Sequence, residues 1–111
     1  KNWAIPGPQI KQVLTAWEGP VGCLATDRIM VDGCKVGYMY REEPANAGDS
    51  GWRFFAGDED EAYTTNPDNV GFFHLNTLCN YDMEIMPLLT APAGSAFVRD
   101  ENGQFRREEL E

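Results

Sequence analysis

Four consecutive carboxylates, Asp58-Glu59-Asp60-Glu61, follow a glycine-bounded aromatic run, Gly51-Trp52-Arg53-Phe54-Phe55-Ala56-Gly57. Such hard oxygen donors suit calcium or magnesium. The stretch lacks the alternating acids, central glycine and distal glutamate of an EF-hand loop, and adjacent acids on an extended chain point to opposite sides. A transition metal is served worse still, by one histidine and three scattered cysteines. As a charged surface the run can steer and orient a basic partner. It can equally be a solvated turn that keeps an edge strand from pairing. Residue types alone do not choose between steering and solvation. Asp58, Glu59, Asp60 and Glu61 are therefore the candidate partner-binding residues, and no metal or cofactor is implied.

Covalent chemistry finds little support. His74, the single histidine, lies between Phe73 and Leu75 and reads as structural. Cys79 beside it has no spacing that marks a nucleophile–base pair. The two serines, Ser50 and Ser95, lie outside any nucleophile-elbow pattern, and Gly48 and Gly51 lack the Lys-Ser/Thr that completes a phosphate-binding loop. The residues point to a binding protein rather than an enzyme.

Charge narrows the partner. Eighteen acids against nine bases leave a net charge of −9, which repels nucleic acid and anionic membrane and favours a basic protein or a cation. Basic residues are scattered, with only Arg106-Arg107 adjacent. Cys23, Cys34 and Cys79 are odd in number and have no CxxC spacing, so free thiols in a reducing cytoplasm are expected, although a Cys23–Cys34 pair across a hairpin is conceivable. No apolar run reaches membrane-spanning length and no signal peptide is visible, but the chain starts at Lys1, which leaves a removed leader open.

The elements that must position these groups fit one domain of 111 residues with one core. Thirteen aromatics provide apolar area, while 11 glycines and 7 prolines imply many turns and short elements. Residues 1–21 read as an N-terminal extension. Ile10, Val13, Leu14 and Trp17 fall at i, i+3, i+4 and i+7, predicting a short helix from Gln9 to Trp17 that Gly19-Pro20 stops. A strand is expected over Cys23–Thr26. Asp32-Gly33 then reads as a hairpin turn leading into a strand over Lys35–Arg41. In that strand Val36, Tyr38 and Tyr40 share one face. Gly51–Ala56 is the next strand, and Tyr38, Tyr40, Trp52 and Phe54 together read as core. Phe72–Leu75 is extended, a helix begins near Asn76, and Asp82 caps a second short helix over Met83–Leu89 that contains Pro87. Ser95–Arg99 and Gln104–Arg107 form a closing hairpin, and Glu108–Glu111 a fraying tail. The order predicts an α+β single domain with a mainly antiparallel sheet, a few short helices and no βαβ crossover.

Two groups of residues carry a family resemblance. One comprises Val36-Gly37-Tyr38-Met39-Tyr40-Arg41-Glu42, Asp49-Ser50-Gly51-Trp52-Arg53-Phe54 and Gly57-Asp58-Glu59-Asp60-Glu61. The other comprises Leu75-Asn76-Thr77-Leu78, Asp82-Met83-Glu84-Ile85 and Pro92-Ala93-Gly94-Ser95-Ala96-Phe97. In this order they resemble the immunity protein 33 family of bacteria, over about residues 22 to 107. The resemblance implies a small cytoplasmic α+β domain, encoded near toxins of polymorphic or contact-dependent systems, that protects its cell by binding a cognate toxin. It carries over no catalytic residue. A small-ligand or cation-binding regulatory module is the alternative that the clustered carboxylates and aromatic strand keep open.

Overall fold

The aromatic run becomes the strand around which the sheet is assembled. In the computed structural model, which describes residues 1–109, β1 spans Gly22–Thr26, β2 Tyr38–Arg41, β3 Asp49–Phe55, β4 Val70–His74, β5 Ala96–Arg99 and β6 Phe105–Glu108. They lie side by side in the order β4-β1-β3-β2-β5-β6. Every neighbouring pair is antiparallel except β1 with β3. The architecture is α+β, as the residue patterns predict. The parallel pair is not anticipated by them. Asp32-Gly33 does not make a hairpin, because the chain after β1 coils into α1, Asp27–Met30. Gly33, at φ 79°, then turns it so that the Cys34 N–H reaches the Arg28 carbonyl at 3.0 Å. β2 thus pairs with β3 and not with β1, which frees β1 to lie parallel to β3.

One face of the sheet is closed. Cys23 and Ala25 of β1, Met39 of β2, Trp52 and Phe54 of β3 and Phe97 of β5 project into a core shared with Ile29 and Met30 of α1. Leu75, Leu78 and Cys79 of α3 (Leu75–Tyr81) join it, as does Ile85 of the 3-10 segment Met83–Leu88. Trp52 is fully enclosed, and its indole N–H donates to the Leu89 carbonyl at 3.0 Å, so the one polar atom of the largest core side chain is satisfied. Gly51 makes this register possible. It sits inside β3 at φ 91°, and a Cβ there would stand 2.2 Å from the Glu42 carbonyl oxygen.

Pairing across β2 and β3 corrects the expected aromatic face. Tyr38 stands opposite Phe55 and Tyr40 opposite Arg53, whereas Met39 stands opposite Phe54. The two tyrosines therefore lie on the face away from Trp52 and Phe54, half-buried, and Met39 is the core residue of β2. Val36 is also in the core, but it precedes β2, so its burial does not follow the strand alternation.

The N-terminal helix is likewise not formed. Only Gly7–Gln9 makes a single 3-10 turn, and residues 10–20 run as an irregular strap. Ile10, Val13, Leu14 and Trp17 still pack on the core. Side chains of α3 hold the strap: Asn76 Oδ1 accepts from the Val13 and Leu14 amides at 2.8 and 2.9 Å, and Asn80 Oδ1 accepts from the Lys11 amide at 2.9 Å. These bonds satisfy strap amides that a helix would have paired internally. The three cysteines are free. Glu108 pairs with Ala96 rather than fraying, and Leu110 and Glu111 of the expected tail lie outside the described residues. No helix among the described residues is long and apolar enough to cross a membrane.

Candidate functional site

The four acids do not form one patch, because three of them already hold the chain after β3. Glu59 accepts from the Ala56 and Gly57 amides at 2.8 Å each and from the Thr26 hydroxyl at 2.5 Å, tying the loop to the end of β1. Asp60 caps α2, Glu61–Thr64, by accepting from the Tyr63 amide at 2.8 Å. Asp58 takes a two-pronged bond from Arg28, with Nε at 3.1 Å and Nη2 at 2.5 Å, and that guanidinium holds the Asp58 carboxyl below its usual range. Glu61 is exposed in the first turn of α2; its backbone carbonyl accepts from the Thr65 hydroxyl at 2.8 Å, while its carboxylate accepts no hydrogen bond from the described residues. Among those residues no three His, Cys, Asp or Glu side chains gather as a metal site.

The groups weighed for covalent chemistry are set apart. His74 is exposed at the start of α3. Cys79 is fully buried, and burial, with the nearby Asp82 charge, pushes its thiol up to about 11. That is the reverse of an activated thiolate. The Ser50 and Ser95 hydroxyls are buried and serve the Trp52 amide and the Arg107 guanidinium.

The exposed side of the sheet presents a surface of different character. Register places Phe72, Leu24, Arg53, Tyr40 and Ala96 in one row across β4, β1, β3, β2 and β5, with Phe55, Tyr38 and Val98 in the next row. Phe72 is 55% exposed and Val98 36%. Tyr38, Tyr40 and Phe55 form a three-ring cluster with centroids 5.8–5.9 Å apart, the Tyr40 and Phe55 rings stacked within 10° of parallel. Phe55 divides two hollows. A groove of about 680 Å³ lies between Tyr38, Val98, Arg99 and the Gly57-Asp58-Glu59 loop. A smaller one of about 90 Å³ is bounded by Leu24, Tyr40, Glu42 and Val70. The acidic run thus touches this surface at the wall of the larger groove, through Asp58 and Glu59 only.

Three arginines around this face share one arrangement, while exposed Arg106, opposite Val98, pairs with Asp100 alone. Arg53 is buried, with Nη1 and Nη2 donating to Asp49 at 2.9 and 2.7 Å and Nε to Glu42 at 2.6 Å. Arg28 lies between Asp58 and Asp32, and Arg99 between Asp82 and Glu84. Each guanidinium faces two carboxylates, so each cluster keeps one net negative charge. Burial raises the pKa of both phenols, and nearby Glu108 raises Tyr38 further as Glu42 does Tyr40. The rings therefore stay neutral inside a negative rim.

The sequence profile of the immunity protein Imm33 domain matches residues 23–109. The chain belongs to this family. Comparison with curated proteins and with solved structures returns no match. In this Imm33 domain the six strands lie almost wholly within the matched stretch, while the strap of residues 1–21 precedes it. Many of the residues that carry the resemblance support the fold. Trp52 fills the core, Asn76 holds the strap, and buried Asp82 joins Val36, Glu84 and Arg99. The open face was missed at the level of sequence, although a signal for it is present. Apolar residues occur at both parities of β2, Tyr38 and Tyr40 against Met39, more than a strand with one solvated face requires.

Proposed function

We propose that this chain is a non-enzymatic, cytoplasmic immunity protein that neutralises a cognate toxin by binding it directly. Membership of the Imm33 family across residues 23–109 is the observation that carries this reading. A net charge of −9 supports a toxin with a basic surface, because opposite charge accelerates encounter and orients the partners. Asp58, Glu59, Asp60 and Glu61 contribute to that steering field as a group. Asp58, at the wall of the larger groove, and exposed Glu61 are the acids whose carboxylates we infer to meet the toxin, since Glu59 and Asp60 are committed to the loop and to the α2 cap.

Co-expression with the toxin domain encoded beside this chain tests the proposal. The expected results are restored growth and a complex that survives size-exclusion chromatography. Absence of both rescue and complex would overturn the immunity reading.

A further inference from the structure

We propose that the open face of the sheet, centred on Tyr38, Tyr40 and Phe55, is the docking surface, and that its occupant is a basic protein segment that lays an arginine or lysine side chain over these rings. The inference rests on the immunity reading and names the surface that reading leaves unspecified.

Three observations converge on it. First, the face is largely apolar and open over its aromatic part. Phe72 and Val98 are among the most exposed large hydrophobic side chains of the described residues, and half-buried Leu24, Tyr38, Tyr40 and Phe55 connect them. Second, the rings form a preassembled platform. Stacked neutral aromatic faces attract a cation placed over them, and Arg is the more frequent guest. Third, the rim has the complementary charge. The Arg53, Arg28 and Arg99 clusters each retain a net negative charge, and Glu42 and Glu108 act on the phenols from either side.

The same charges argue against other occupants. A second copy docked through this face would bring two negative rims together, and like charges across an interface are strongly unfavourable. Nucleic acid would be repelled throughout. A basic segment of a partner protein lets the rings take its cation and the two hollows beside Phe55 take its neighbouring side chains.

The test is binding of the toxin domain encoded beside this chain, measured for the wild type and three variants, each first checked for a native thermal melt. Tyr40→Leu keeps apolar bulk but removes the ring and should weaken binding by roughly tenfold, while Tyr40→Phe should bind as the wild type does. Val98→Lys places a positive charge beside Tyr38, next to the rings that receive the guest cation, and should weaken binding by at least about tenfold at low salt. Wild-type binding with Tyr40→Leu and Val98→Lys unaffected would overturn the docking surface and leave the immunity reading intact. A wild type that neither binds nor rescues would remove both. A wild-type dimer that Val98→Lys dissociates would identify a second copy as the occupant and overturn the proposal.

Discussion

The two faces of β3 use the same residue types for opposite ends. On the inner face Trp52 and Phe54 are fully enclosed among α1, α3 and the Met83–Leu88 segment. On the outer face Phe55 stacks with Tyr40 and Tyr38, and the three rings, half-buried, lie outside the core cluster. Alternation assigns each side chain to a face, but it does not say which face is covered. A strand aromatic on both sides and packed on one holds the fold with its inner residues and leaves its outer rings half-exposed. The outer face has its own anchor in Arg53, whose paired guanidinium fixes the middle of the sheet without closing it.

Substitutions along β3 should separate the faces. Trp52→Ala, on the closed side, should cost ~3–5 kcal/mol in urea unfolding. Asp49→Ala leaves the buried Arg53 with the half-exposed Glu42 as its remaining carboxylate and should cost about 3 kcal/mol, which would show that the outer face is anchored nearly as firmly as the inner one. The pair also predicts a pH dependence. Hydrogen bonds from Arg53 hold the Asp49 carboxyl far below its ordinary value, so its stabilisation is complete above about pH 4 and is lost as pH falls toward the folded-state value. Asp49→Asn should flatten that acid limb of the stability profile, and an unchanged limb would place the acid-sensitive groups elsewhere. On the open side the effects shrink. Phe55→Ala should cost about 1–2 kcal/mol, because the ring is only half-buried, and Val98→Lys should stay within ~0.5 kcal/mol. A Phe55→Ala loss as large as that of Trp52→Ala would erase the distinction between the faces.

What the sequence shows and what it conceals follow from the range of the interactions. α3 and the capped segment after Asp82 are readable because their signals are local: an extended Phe72–Leu75, which ends one residue earlier at His74, a periodic run, and a carboxylate that accepts from the Glu84 amide at 3.1 Å. The closing hairpin is readable for the same reason, with its Asp100-Glu101-Asn102-Gly103 turn. The strap is not. Ile10, Val13, Leu14 and Trp17 have helical spacing and do reach the core, but their backbone is held by Asn76 and Asn80, more than sixty residues away. The β1–β3 pairing is concealed likewise, because α1 and β2 intervene between strands that end up side by side. At the site, the acidic run is plain in the sequence, whereas its commitment to Thr26, Arg28 and the α2 cap depends on tertiary contacts. The ring cluster needs the β2–β3 register, which places Tyr38 against Phe55 and away from Trp52.

If the open aromatic face, and not the helical side, meets the partner, the contact will be visible residue by residue. Amide chemical-shift mapping of the isotope-labelled protein during titration with the toxin domain tests it most directly. The largest shifts are expected on Leu24, Tyr38, Tyr40, Phe55, Gly57 and Val98. Shifts confined to α3, the Met83–Leu88 segment and residues 1–21, with those amides unmoved, would contradict it.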